Sequence, residues 1–118
     1  MVKNLIVIVL LLVVGGIKAQ SQYVFIDQKA KSVPNHLKTY QEIANHLTKD
    51  LVSNKQKVRA LYVWIAHNVK YDIHKLNIKK IRSTSEEIIR YVLSNRKGLC
   101  QHYAELFSAI STSIGIKY

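Results

Sequence analysis

The sequence predicts an α+β domain in which the helices come first and a strand begins only at the last residues. Three observations carry that reading. Apolar residues recur at three- and four-residue intervals from Leu37 to Leu51, the period of an amphipathic helix. Ser53-Asn54-Lys55-Gln56 and Ser83-Thr84-Ser85-Glu86 have the layout of capping boxes and mark the starts of two more helices. Gly115 closes a fourth helix, and Ile116-Lys117-Tyr118 then turns strand-like.

The 118 residues leave room for one small domain. Its N-terminus reads as an export signal. Lys3 precedes an unbroken apolar run from Leu5 to Ile17, and Lys18-Ala19-Gln20-Ser21 follows as a small polar stretch. A basic start, an apolar middle and a small residue at the cut define a secretory signal, with Ala19 the last residue removed. An uncleaved anchor and a buried helix are the alternatives, but the run falls short of the about 20 apolar residues of a comfortable membrane span. The expected organisation is a signal peptide at 1–19, a leader segment at 20–33 and a partial domain at 34–118. Within the leader, Tyr23-Val24-Phe25-Ile26 reads as a short edge strand or a mobile stretch. Export places the protein in the periplasm, the cell envelope or the extracellular space, with membrane contact only in transit.

Pro34 sets the start of the domain. The first helix runs from Asn35 to about Lys49 or Leu51, with Leu37, Tyr40, Ile43, Ala44, Leu47 and Leu51 on its apolar face. The second runs from the Ser53 box to about Asn68, with Val58, Leu61, Tyr62, Ile65 and Val69 facing the core and Trp64 packed at the edge. Tyr71-Asp72 ends it, and Ile73 to Arg82 is a basic irregular stretch. The third helix starts at the Ser83 box. Glu86 and Glu87 sit in its first turn, where negative charge suits the helix dipole, and Ile88, Ile89, Val92 and Leu93 form its buried face. Asn95 to Leu99 breaks the chain before the fourth helix, whose apolar residues are Ala104, Phe107, Ala109, Ile110 and Ile114.

Composition narrows the chemistry. The formal charge is +11, and cutting after Ala19 removes Lys3 and Lys18 and leaves +9. Such a balance can favour nucleic acid, anionic lipid or acidic glycans. The charges are spread along the chain without interleaved aromatics, so a solvated basic surface is the reading and nucleic acid is not an expected partner. A single cysteine excludes an internal disulfide and a multi-thiol zinc site. Nothing has His-x-x-x-His spacing, so neither metal nor organic cofactor is expected.

That cysteine, Cys100, is the candidate catalytic residue. It opens the fourth helix, after Arg96-Lys97-Gly98-Leu99. A thiol at a helix N-terminus beside cationic groups is where a thiolate forms most easily, and Gly98 would let the backbone turn and a substrate approach. The competing reading is a small buried hydrophobe. Of the five histidines, His102 points away from Cys100 in a helix and reads as a surface or substrate-side residue. His36, His46 and His67 read as solvated. Asp72 either orients a histidine or pairs with a nearby lysine, and Trp64 reads as core.

The stretch Lys57-Val58-Arg59-Ala60-Leu61-Tyr62-Val63-Trp64-Ile65-Ala66-His67-Asn68-Val69-Lys70-Tyr71-Asp72 resembles the helix that leads to a Tyr-Asp pair in transglutaminase-like domains. Val92 to Phe107, with its Gly98-Leu99-Cys100 and Tyr103-Ala104, resembles the segment around their nucleophile, and Ile114-Gly115-Ile116 the turn into the first sheet strand. The flavour is closest to the bacterial secreted and kyphoscoliosis-peptidase-like branch. The resemblance implies a papain-like fold, its cysteine helix packed on an antiparallel sheet. It implies thiol chemistry on peptide or glutamine amides of a protein or peptide substrate, with Cys100 as nucleophile and a thioester acyl-enzyme resolved by water or an amine. The family's triad histidine and aspartate lie beyond the strand that opens at Ile116, so the expectation is the N-terminal portion of such an enzyme. The alternative is a non-catalytic module of the same fold that binds protein or envelope polymer.

Overall fold

The computed structural model describes residues 2–75 and 83–117. Five α-helices follow one another: α1 (Val2–Lys31), α2 (Tyr40–Thr48), α3 (Asn54–Asn68), α4 (Ser85–Asn95) and α5 (Cys100–Ser113). Two short strands lie between them, β1 (Lys70–Tyr71) before a single 3-10 turn at Ile73–Lys75, and β2 (Lys97–Gly98) immediately before α5. The strands pair in parallel, Lys70 opposite Lys97 and Tyr71 opposite Gly98.

Tyr23–Ile26 is helix, not strand. It lies in the second half of α1, where Ile26 and Ala30 are buried and Tyr23 packs on the same core. Charged contacts reinforce the docking onto the domain. Arg59 of α3 donates to both carboxylate oxygens of Asp27 at 2.8 Å and lies over the Tyr23 ring, 4.7 Å from its centroid. Lys29 pairs with Asp50 at 2.7 Å. The β-branched and aromatic residues of 23–26 suggested extension, but burial of a helical i, i+4 pair decides the outcome. At the other end of α1, Leu5, Ile6, Val7 and Ile8 are exposed. No helix among the described residues is long and apolar enough to cross a membrane.

α2 starts at Tyr40 rather than Asn35. A complete capping box, Thr39 with Glu42, sets that start: the Thr39 hydroxyl accepts from the Glu42 amide and the Glu42 carboxylate accepts from the Thr39 amide. α3 begins at the expected box, Ser53 with Gln56. α4 begins one residue later than expected. Its cap is Thr84, paired with Glu87, not Ser83 with Glu86. Glu86 instead bonds Arg90 one turn on.

The core joins Ile26 and Ala30 of α1, Ile43, Ala44 and Leu47 of α2, Ala60, Leu61, Trp64 and Ile65 of α3, Val92 of α4, and Leu106 and Ile110 of α5. The α3 stripe is rotated from the expected one: Trp64 is central, and Tyr62 is 67% exposed. α5 is rotated likewise. His102, Leu106, Ile110 and Ser111 face inward, Ala104 is exposed and Phe107 is half-buried. Both helices turn their most continuous side to a core shared with α1 and α2, which the period of one helix cannot reveal. α5 ends at Ser113 with Ile114 as its cap, and Gly115 just beyond has φ 78° as a helix-closing glycine should. Ile116 and Lys117 adopt no strand, and Tyr118 lies outside the described residues, as do 76–82 of the expected basic stretch. The described residues are therefore mostly helical, with a two-stranded parallel sheet among them.

Candidate active site

The first turn of α5 is held from three sides. Asn95 ends α4, and Arg96 follows in the left-handed conformation, φ 54° and ψ 34°. That residue reverses the chain into β2. The Arg96 carbonyl accepts from the Lys70 amide at 2.9 Å and the Gly98 carbonyl from the Asp72 amide at 3.0 Å. β1, the continuation of α3, thus fixes the segment that leads to Cys100. Leu99 is the cap residue, and Cys100 is the first residue of α5, with an exposed thiol.

Of the two cationic neighbours, Arg96 is turned away to another partner. The Arg96 guanidinium lies over Trp64, 5.0 Å from the ring. Burial there pushes its pKa down from the ordinary arginine value. Its Nη1 is buried with no hydrogen-bond partner among the described residues. A cation over an indole face is favourable, more so when desolvated, and this contact serves the turn at the end of α4.

His102 is 3% exposed, not a surface residue. Its Nδ1 accepts the Leu99 amide at 3.0 Å, and its ring tilts against Tyr91 of α4 at 5.4 Å between centroids. Gly98 makes that possible. A Cβ on Gly98 would stand 2.4 Å from the His102 Cβ and 2.9 Å from its Cγ. The space at this glycine is taken up by His102, not left for a substrate. His36, His67 and His74 are exposed and His46 is half-buried.

Tyr103 ties the turn to α3. Its hydroxyl donates to the Val69 carbonyl at 2.7 Å, and its ring stacks with Tyr71 of β1 at 6.2 Å. Burial, with the Tyr71 phenol beside it, raises the Tyr103 pKa above its ordinary value. Asp72 is 8% exposed and held through its backbone by β2. An apolar groove of about 460 Å³ runs between α3 and α5, lined by Tyr62, Ile65, Ala66, Tyr103, Ala104 and Phe107. Its α5 residues stand three, four and seven positions after Cys100, on the helical face that the cysteine heads. No three His, Cys, Asp or Glu side chains among the described residues come together as a metal site.

The sequence singled out Cys100 and its helix but missed His102 and Tyr103. For His102 a signal existed: it occupies the third helical position, where Glu or Gln closes a capping box. For Tyr103 none did, because its partner is 34 residues away.

A helix whose first residue is an exposed cysteine, locked by a parallel two-residue ladder to the end of an earlier helix, defines a domain of the thiol-at-helix-terminus class. Known proteins narrow the class. The family model of the transglutaminase-like superfamily matches residues 41–118, two thirds of the chain. The chain belongs to that superfamily. It is similar to kyphoscoliosis peptidase of Mus musculus, 28% identical over 76 residues. The match covers 64% of this chain and 11% of that protein, so the chain corresponds to a small part of its relative's length. No solved structure matches.

Proposed function

We propose that this chain carries the nucleophile portion of a papain-like, transglutaminase-type thiol enzyme acting on amides of a protein or peptide substrate. The observation that carries the reading is the exposed Cys100 as first residue of α5, inside the span that matches the superfamily. The Cys100 thiolate adds to the amide carbonyl, and the C–N bond breaks. The amine leaves with a proton from a general acid, and a thioester remains on Sγ. Water or a second amine then attacks the thioester and releases the thiol. His102 is engaged with the Leu99 amide, and by the family resemblance the acid–base histidine and its aspartate follow the turn at Gly115. The apolar start, with Leu5 to Ile8 exposed, supports export with cleavage after Ala19. The docked part of α1, Tyr23 onward, would stay with the mature protein.

The test is alkylation of Cys100 followed against pH, together with mass spectrometry of Cys100 after exposure to a glutamine-containing thioester or peptide. Reaction at neutral pH well above that of an ordinary thiol, and an acyl adduct on Cys100, are expected. Alkylation that follows the titration of a free thiol near about 8.5, with no adduct, overturns the proposal. The second reading is a non-catalytic module, favoured by the apolar groove beside the cysteine face. Peptide binding retained in a Cys100→Ser variant of an unreactive protein would select it. For export, secreted protein should begin at Gln20, and an intact Met1 would refute cleavage.

A further inference from the structure

The helix starts of this domain are not alike. α2, α3 and α4 each open on a full capping box. The hydroxyl of Thr39, Ser53 or Thr84 accepts from the third helical amide, and Glu42, Gln56 or Glu87 accepts from the cap amide. α5 has only the second half. Leu99 makes no side-chain cap bond, and the residue in the Glu/Gln position is His102, whose Nδ1 accepts the Leu99 amide at 3.0 Å.

Each substitution has a consequence for the thiol. A hydroxyl or carboxylate at position 99 would occupy amides of the first turn; leucine leaves them open to an anion. A glutamate at position 102 would place a carboxylate within one turn of Cys100, and a like charge disfavours the thiolate. An imidazole that accepts at Nδ1 carries its proton on Nε2 and is neutral. It ties down the cap amide without adding negative charge. The missing Cβ at Gly98 leaves room for a side chain at position 102, since a methyl group there would meet the His102 Cβ at 2.4 Å and the ring Cγ at 2.9 Å.

We infer that His102 is a positioning residue for Cys100: a neutral half-cap that fastens the first turn of α5 while leaving its amides to the thiolate and to the oxyanion of the acyl intermediate. This rests on Cys100 being the nucleophile. His102 acts on Cys100 through the Leu99 amide. Tyr91 of α4 is the titratable side chain whose ring lies against it.

The experiment uses the full chain with iodoacetamide as probe, in wild type, H102Q, H102E and H102A, with helicity and Tm recorded for each. Glutamine can reach back to the cap amide and is neutral, so H102Q should keep both Tm and alkylation rate. H102E should keep Tm, because glutamate also closes a box, but alkylate about tenfold more slowly at neutral pH, the equivalent of one unit of thiol acidity. H102A should lose both. A purely structural His102 would make reactivity follow Tm. H102E reacting as fast as wild type therefore overturns the inference, as does H102Q reacting as slowly as H102E. If H102A fails to fold, the H102Q and H102E pair still decides. An unreactive wild-type thiol overturns the nucleophile reading, and this inference with it. An activated thiol in all variants overturns only the role of His102.

Discussion

Gly98→Ala gives the sharpest test of the site's construction. The added Cβ would lie 2.4 Å from the His102 Cβ, against the 3.4 Å at which ordinary van der Waals contact begins. Neither atom can swing away, because both are fixed by their backbones. β2 or the first turn of α5 must move by about 1 Å. Overpacking of this kind costs about 1–3 kcal/mol. The Asp72 amide to Gly98 carbonyl bond, 3.0 Å long, sits on the residue that must move, and weakening it adds about 1 kcal/mol. The expected loss is about 3 kcal/mol, a Tm drop of roughly 10–20 °C for a domain of this size. Urea denaturation followed by circular dichroism measures it. The background matters. In H102A the Cβ at position 102 remains, so Gly98→Ala should cost nearly as much as in wild type. In H102G the obstructing Cβ is gone, and the cost should fall below about 1 kcal/mol. A wild-type cost under about 0.5 kcal/mol, or relief already in H102A, would refute the argument.

Tyr103→Phe leaves the buried Val69 carbonyl without its phenolic donor and should cost about 1–2 kcal/mol. Because the folded-state pKa of Tyr103 is raised, the bond is at full strength below the unfolded value of about 10 and is lost as pH rises through the folded one. The stability gap to the phenylalanine variant should therefore close in strong base, and a gap that stays constant would count against the bond. Thr84→Ala should destabilise by about 1 kcal/mol in chemical denaturation while Ser83→Ala stays within about 0.5 kcal/mol; the opposite order would return the α4 cap to Ser83. Asp27→Asn removes the charge and one of the two acceptors that Arg59 uses in a partly solvated pair, so the expected loss is small. The carboxyl is held below the ordinary aspartate value chiefly by its hydrogen bond to Arg59, so this contribution exists above about pH 4 and disappears as pH falls through the folded pKa. Acid titration of wild type and D27N should show their stabilities converging, and divergence below pH 4 would contradict the assignment.

What was legible in the sequence was local. Capping residues act over three positions, so the starts of α3 and, to within one residue, α4 could be read directly. Thr39-Tyr40-Gln41-Glu42 carried the same signal for α2 and was outweighed by the apolar spacing that continues upstream to Leu37. The choice between Ser83 and Thr84 was not legible, because Glu86 and Glu87 both satisfy the pattern and only the helix register selects one. Cys100 at a helix start was legible because glycine and a polar break precede it. The two-residue strands were not. Lys70-Tyr71 and Lys97-Gly98 have no alternating pattern, and each exists only because the other lies beside it. The placement of Arg96 over Trp64, 32 positions earlier, escaped for the same reason. Of the two charges that precede the thiol, that of Arg96 is committed to Trp64, while Lys97 is exposed.

The short ladder holds the exposed Cys100 in place at the start of α5. An exposed residue at a helix start is ordinarily among the frayed parts of a structure. Here the chain on either side of Cys100 is bound to the end of α3. Upstream, Arg96 and Gly98 accept from Lys70 and Asp72; downstream, Tyr103 donates to Val69. The three bonds meet the contiguous residues Val69 to Asp72, so any displacement of the thiol must strain that stretch or break one of them. The left-handed Arg96 makes the arrangement possible, since an ordinary residue there would carry the α4 chain onward, away from β1. A non-glycine residue at that φ costs roughly 1–2 kcal/mol, and the stacking of its guanidinium on the buried Trp64 is worth about 1–2 kcal/mol in return. Glycine would remove the strain and also the stack. The side chain at position 96 thus couples the helix that carries Trp64 to the turn that presents Cys100, and the energy of one contact is large enough to decide that turn.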